Sequence, residues 1–187
     1  KNVTFSKFEK LKEEINKKID LIVIAVVSKG IEWASVELSK VIKNNVPILI
    51  LTKGLSINNN NYEVLAHKME RLLKKNGIKE TNISAAGGPC LAKELANKAH
   101  TSVVFANKDI DIAKQISKLV STDYYHVTIS NDVVGVEICA AIKNIFSMAV
   151  GASQGLCDSI KSKEKNYLNT AAALIQESIY EMIIFVE

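Results

Sequence analysis

D-L-I-V-I-A-V-V, residues 20 to 27, is a continuous, largely β-branched run, the pattern of a strand buried on both faces of a parallel sheet. V-P-I-L-I-L-T at 46–52 repeats the pattern, and a helical stretch at 31–42 separates the two. Upstream, Phe5, Phe8, Leu11, Ile15 and Ile19 recur at helical spacing among lysines and glutamates, which predicts an amphipathic surface helix. Downstream, a polar turn at 58–61 precedes a helix over 62–75, with Asn76 and Gly77 as a glycine-type C-cap. Strands follow at 82–86, 101–106 and 125–129, with helices at 91–98 and 109–120 between them. Such alternation predicts an α/β fold, a partial Rossmann-type parallel sheet with right-handed crossovers and helices on both faces. After Asn131 the strands cease and two long helices are expected, over 131–152 and 166–187. The chain therefore divides into residues 1–130, an α/β domain, and residues 131–187, the start of an all-α domain.

Composition excludes several classes. The 187 residues are 48% hydrophobic, enough to bury a core, and 24 basic against 20 acidic residues leave a net charge of +4. That charge is evenly spread and forms no basic stripe with aromatics, so no nucleic-acid partner is expected. Cys90, Cys139 and Cys157 lack metal-ligand spacing, so neither a disulfide framework nor a metal site is predicted, and a reducing cytoplasm is the natural compartment. Cys139 and Cys157 read as filling core volume or lining a loop. No membrane span and no signal peptide are expected.

In a doubly wound sheet, ligands bind where chains leave the carboxyl ends of strands. Three such loops stand out: Val27-Ser28-Lys29-Gly30, Thr52-Lys53-Gly54, and Gly87-Gly88-Pro89-Cys90, the last leading into a helix whose N–H groups favour an anion. Lys143 then stands on the otherwise apolar helix V-E-I-C-A-A-I-K-N-I-F-S-M-A-V-G, residues 136–151, where a charge needs a partner, a shifted pKa or a use. Two lysines with a glycine-rich turn suit a small phosphorylated ligand whose carbonyl is polarised. Other polar residues read more plainly. His67, His100 and His126 lie far apart and suit core or surface roles, His100 alone falling near the proposed site. Glu137 pairs with a lysine or faces solvent. Lys161, Lys163 and Lys165 form a solvated loop, and Trp33 and Tyr62 are packing residues of helices.

Four segments carry a resemblance over nearly the whole chain: T-K-G at 52–54, G-G-P-C-L-A-K-E-L at 87–95, V-E-I-C-A-A-I-K-N at 136–144, and N-T-A-A-A-L-I at 169–175 with E-M at 181–182. In order and spacing the chain resembles the NAD(P)-dependent glycerol-3-phosphate dehydrogenases. The resemblance implies interconversion of sn-glycerol 3-phosphate and dihydroxyacetone phosphate with NAD or NADP, in glycerophospholipid precursor synthesis. It implies Lys143 as the catalytic residue at the second carbon. Lys53 would contact both substrate and cofactor, Gly88 and Cys90 the substrate, and Ala92 the cofactor, while Asn144 orients the lysine or the substrate. It further implies that residues 1–130 are a partial Rossmann-like nucleotide-binding domain and residues 131–187 the start of a helical substrate domain, with the active site between them, commonly in a homodimer.

Departures from the family are equally legible. No G-x-G-x-x-G turn precedes Asp20, and the family's later G-D-L segment and R-N pair are not reached. Val27 replaces a proline, Cys90 a hydroxyl or amide residue, and Gln176 an arginine, and the loop at 154–169 is rewritten. Two other readings stay open: a related dehydrogenase acting on another phosphorylated or hydroxy-acid substrate, and a noncatalytic remnant.

Overall fold

The computed structural model describes residues 3–15, 18–42, 46–159 and 168–186. Two compact units divide it, Lys1–Glu137 and Ile138–Glu187. The first is α/β. Its five-stranded sheet is built from β1 (Ile22–Ile24), β2 (Pro47–Ile50), β5 (Asn82–Gly87), β6 (Thr101–Ala106) and β7 (Tyr125–Ser130), side by side in that order.

β1, β2 and β5 run parallel, with Ile24 opposite Ile50 and Ile50 opposite Ala85. β6 reverses, pairing antiparallel to β5 with Gly87 opposite Val104, and β7 then follows β6 in parallel. The reversal has a local cause. The link from β5 to β6 holds only a five-residue helix, α4 (Ala92–Ala96), with no buried residue. It supplies no layer over the sheet, so the chain folds straight back.

β2 is buried at every position, as its unbroken apolar run requires. Alternate side chains feed opposite faces. Ile48 and Ile50 join Ile31 and Leu38 of α2 (Ile31–Ser39) and Leu65, Met69 and Leu73 of α3 (Leu65–Lys75), whereas Leu49 joins Val103, Phe105 and Ile116 of α5 (Ile110–Val120). Helices thus cover both faces. α3 ends as its sequence predicts: Gly77 takes φ +93°, its N–H donates to the Lys74 carbonyl, and the Ile78 N–H donates to that of Leu73.

Several local expectations are corrected. β1 is a short edge strand, paired among the described residues with β2 alone, so Val23 is 47% exposed rather than enclosed on both sides. The N-terminal helix is reduced to a 3₁₀ turn at Phe8–Lys10 and α1 (Leu11–Ile15), and Phe5 is fully exposed. The turn at 58–61 is the tip of an antiparallel hairpin, β3 (Leu55–Asn58) and β4 (Asn61–Val64), and α3 starts only at Leu65. Asn59 and Asn60 take φ +50° and +63°, the left-handed pair a tight hairpin demands and asparagine tolerates. Tyr62 therefore sits exposed on a strand, while Trp33 is half-exposed with its ring 4.7 Å from that of Phe8.

α6 (Val133–Ser159) and α7 (Leu168–Val186) follow, and α6 begins in the first unit. Asp132 caps α6, its Oδ1 accepting from the Gly135 N–H at 2.8 Å. By length and composition alone Val133–Leu156 is long and apolar enough to cross a bilayer, with a mean hydropathy of 1.7, contrary to the expectation that no segment would be. Glu137 and Lys143 break the apolar run without lowering its average below that of a span. In the second unit Ala140, Ala171 and Ser178 are buried, while Ile145, Met148, Ile175 and Ile183 are exposed. Lys161, Lys163 and Lys165 lie outside the described residues.

Candidate active site

The loops leaving β1, β2 and β5 are neighbours because their strands are, and backbone and side-chain donors stitch them together. The Leu51 N–H donates to the Ile24 carbonyl at 2.9 Å, and the Thr52 hydroxyl to that of Val26 at 2.6 Å. Lys53 then reaches across, its Nζ donating to the Gly88 carbonyl at 3.3 Å. Gly54, at φ +132°, lets the second loop turn beside Ser28.

Gly88 is fixed from behind. At φ +111° it lies so close to β6 that a Cβ would stand 3.0 Å from Val103 Cα and 3.1 Å from the Ser102 carbonyl. Its outward surface is bare backbone beside the Lys53 ammonium. Cys90 and Ala92 continue the same rim and are exposed. The helix behind them, α4, spans only five residues.

Beside this rim, on the face away from α2 and α3, an open apolar hollow of about 330 Å³ is lined by Val23, Leu49, Leu51, Phe105 and Tyr125 among others. Burial, with a contribution from Cys90, pushes the Tyr125 phenol above its ordinary pKa. This hollow forms only when five distant segments meet, and no local pattern announces it.

The remaining predicted residues belong to the second unit. Lys143 is half-buried on α6, so its charge is relieved in part by solvent, and among the described residues it makes no hydrogen bond or ion pair. Asn144 is exposed, and its carbonyl accepts from the Ser147 hydroxyl at 3.0 Å. The structure thus joins Lys53 to Gly88, sets Cys90 and Ala92 along the same rim, and carries Lys143 and Asn144 on one turn of α6.

Glu137 does neither thing expected of it. Only 5% exposed, it accepts backbone hydrogen bonds from Ala66, at 2.9 Å, and from Leu65, and so caps the N-terminus of α3. Burial pushes its carboxyl up to about 7, against the lowering effect of those two N–H groups.

Known proteins give this arrangement a context. The model of the NAD-dependent glycerol-3-phosphate dehydrogenase N-terminus matches residues 4–113, and that of the C-terminus matches residues 132–187. The chain belongs to the NAD-dependent glycerol-3-phosphate dehydrogenase family. Glycerol-3-phosphate dehydrogenase [NAD(P)+] of Francisella philomiragia is 31% identical over 163 residues, which cover 87% of this chain and 45% of that protein. The enzyme of the same name from Francisella tularensis is 29% identical over the same shares. The chain thus spans about half the length of these curated relatives. Among solved structures, the glycerol-3-phosphate dehydrogenase of Coxiella burnetii is 25% identical with a TM-score of 0.68, over 92% of this chain and 48% of that one. That of Saccharomyces cerevisiae is 24% identical with a TM-score of 0.72, over 91% and 48%. The latter likeness is one of fold, and it agrees with a mostly parallel α/β sheet followed by helices. The C-terminal family match also covers the whole apolar stretch of α6, so this length of apolar helix belongs to a dehydrogenase family region.

Proposed function

We propose that this chain supplies the strand-end loops and the lysine-bearing helix of an NAD(P)-linked glycerol-3-phosphate dehydrogenase, which interconverts sn-glycerol 3-phosphate and dihydroxyacetone phosphate for glycerophospholipid precursor synthesis. The observation that carries the reading is the Lys53 to Gly88 hydrogen bond, which sets a cation and a side-chain-free backbone surface together at the carboxyl edge of the sheet. Residues up to about 130 serve the nucleotide, and those beyond begin the substrate domain. In this reading the protein works in the cytoplasm and assembles as a homodimer.

The residues at the rim fit the nicotinamide end of the cofactor. Bare backbone at Gly88 allows close approach, Ala92 offers a small apolar contact, and Lys53 orients both nicotinamide and substrate. A pyrophosphate cradle of the G-x-G-x-x-G type is not among these 187 residues. The cofactor, when bound, carries the hydride exchanged with the second carbon of the substrate. Lys143 donates a hydrogen bond to the oxygen on that carbon and yields the proton that the alcohol needs. Removing one such donor in other enzymes costs about 3 kcal/mol of barrier lowering. Asn144 holds the lysine or the substrate in place, and Cys90 presents its backbone N–H, its thiol being a weaker donor than a hydroxyl.

Titrating the purified chain with NADH and NADPH by fluorescence, then adding dihydroxyacetone phosphate, tests this reading. Binding that Lys53→Ala weakens, and oxidation that Lys143→Ala abolishes, support it. A chain that binds neither nucleotide and oxidises neither favours the noncatalytic reading.

A further inference from the structure

Two histidines 26 positions apart meet at this same edge of the sheet. His100 immediately precedes β6 and His126 lies in β7, where Thr101 stands opposite Tyr125 and Ser102 opposite His126. The Thr101 N–H donates to the Tyr124 carbonyl at 2.8 Å, so the backbone under both rings is held by the ladder. Because β6 and β7 run against β5, their starts lie beside the ends of β1, β2 and β5. Gly88, packed on Ser102 and Val103, marks the junction.

Nδ1 of His100 and Nε2 of His126 are 2.9 Å apart, with ring planes 15° from parallel and centroids 5.2 Å apart. The centroids exceed the nitrogen separation by the width of one ring, which sets the two imidazoles edge to edge, close to one plane. Both residues are exposed, and neither is paired with a carboxylate among the described residues.

We propose that His100 and His126 form a two-imidazole site for a divalent late transition-metal ion, bound through Nδ1 of the first and Nε2 of the second. Imidazole suits zinc, copper and nickel alike. Two metal–nitrogen bonds of about 2.05 Å meeting at a right angle set their nitrogens about 2.9 Å apart, and a tetrahedral angle sets them about 3.3 Å apart. The pair already stands at the first of these spacings, that of cis ligands on a square-planar or octahedral ion. Each ring must swing by about 45° to turn its lone pair from the other ring toward a shared ion bound at a right angle, a movement that the exposure of both side chains allows. In the neutral pair each ring carries one proton, and one of these lies in the N–H···N bond. Moving it through solvent to the far nitrogen of its own ring frees both facing nitrogens, so binding needs a tautomer change and no net proton loss. No third histidine, cysteine or carboxylate completes a metal-binding group among the described residues, so water fills the remaining positions. Nickel and copper suit such a cis pair, and copper leads the general order of affinities.

The test is calorimetric titration of the whole purified chain with nickel chloride under reducing conditions, together with NMR of the histidine ring protons. One nickel per chain is expected, with His100 and His126 signals broadened and those of His67 kept. His100→Gln and His126→Gln, which keep a polar side chain but lose the ligand nitrogen, should each weaken binding at least tenfold, and His67→Gln should leave it unchanged. A hydrogen-bonded pair only, with no broadening of these two rings by nickel, overturns the proposal, as does binding that survives either substitution. The result is independent of nucleotide binding and of dehydrogenase activity.

Discussion

The Glu137 carboxylate accepts the backbone N–H of Ala66 at 2.9 Å, across 71 positions of sequence, and so anchors the start of α6 on the start of α3. Because burial raises this carboxyl to about 7, the folded state holds its proton more tightly than the unfolded chain, whose value is near 4.5. The resulting stabilisation is fully present below the unfolded value and is lost as pH rises through about 7. The loss runs at up to about 1.4 kcal/mol per pH unit, on the order of 3 kcal/mol across the window. Glu137→Gln keeps an acceptor oxygen and cannot ionise. Its stability relative to wild type, measured by urea unfolding, should therefore rise between pH 5 and pH 8; equal slopes for the two proteins would refute this assignment.

Gly88→Ala should destabilise the first unit by about 1–3 kcal/mol. The new methyl meets the backbone of β6, which cannot retreat, and the residue must hold φ +111° with a Cβ. Thermal unfolding measures the loss, and a weaker nucleotide response than that of wild type, under conditions where both are folded, reports the displaced Lys53.

Arg71 grips Glu63 with two bonds, Nε to Oε1 and a terminal nitrogen to Oε2, both 2.8 Å, tying α3 to the hairpin strand β4. Arg71 holds the Glu63 carboxyl below its ordinary value. A double-mutant cycle with Arg71→Ala and Glu63→Ala should give a coupling of roughly 1 kcal/mol at neutral pH. The coupling is present above the ordinary carboxylate pKa and fades as pH falls through the lowered one. A cycle that closes to zero at neutral pH would show that the pair is ornamental.

Asn60→Gly should stabilise the hairpin by roughly 0.5 kcal/mol, because glycine takes the left-handed conformation at φ +63° without the strain a Cβ adds. Asn60→Val should do the opposite by more. Hydrogen exchange at Ser56 and Glu63, which face each other across the hairpin, would rank the three proteins.

The sheet was legible where its strands are unbroken apolar runs: β2, buried at all four positions, could hardly be anything else. The three strand-end loops followed, since adjacent parallel strands end together, and the contact of Lys53 with Gly88 is a product of that adjacency. Strand direction carries no such signature. Nothing in T-S-V-V-F-A distinguishes a strand that reverses from one that does not, and the helix before it, expected over 91–98, shows its five-residue length and lack of buried residues only in the structure. The sequence shows the β3–β4 hairpin only as a turn, because L-S-I-N and N-Y-E-V alternate too briefly to outweigh a helical spacing that extends back to Tyr62. Glu137 and the His100–His126 pair escaped for one reason. Each acquires its role from a partner supplied by tertiary folding, across 71 and 26 positions.

The backward course of β6 has a consequence for how such a protein can diversify. In a wholly parallel sheet only outgoing connections reach the ligand side, and incoming ones serve the opposite end. Here the short incoming segments before β6 and β7, at 97–100 and 121–124, share that side with the outgoing loops of β1, β2 and β5. Selection therefore has two extra surface segments in which to try new side chains while the motif loops stay untouched.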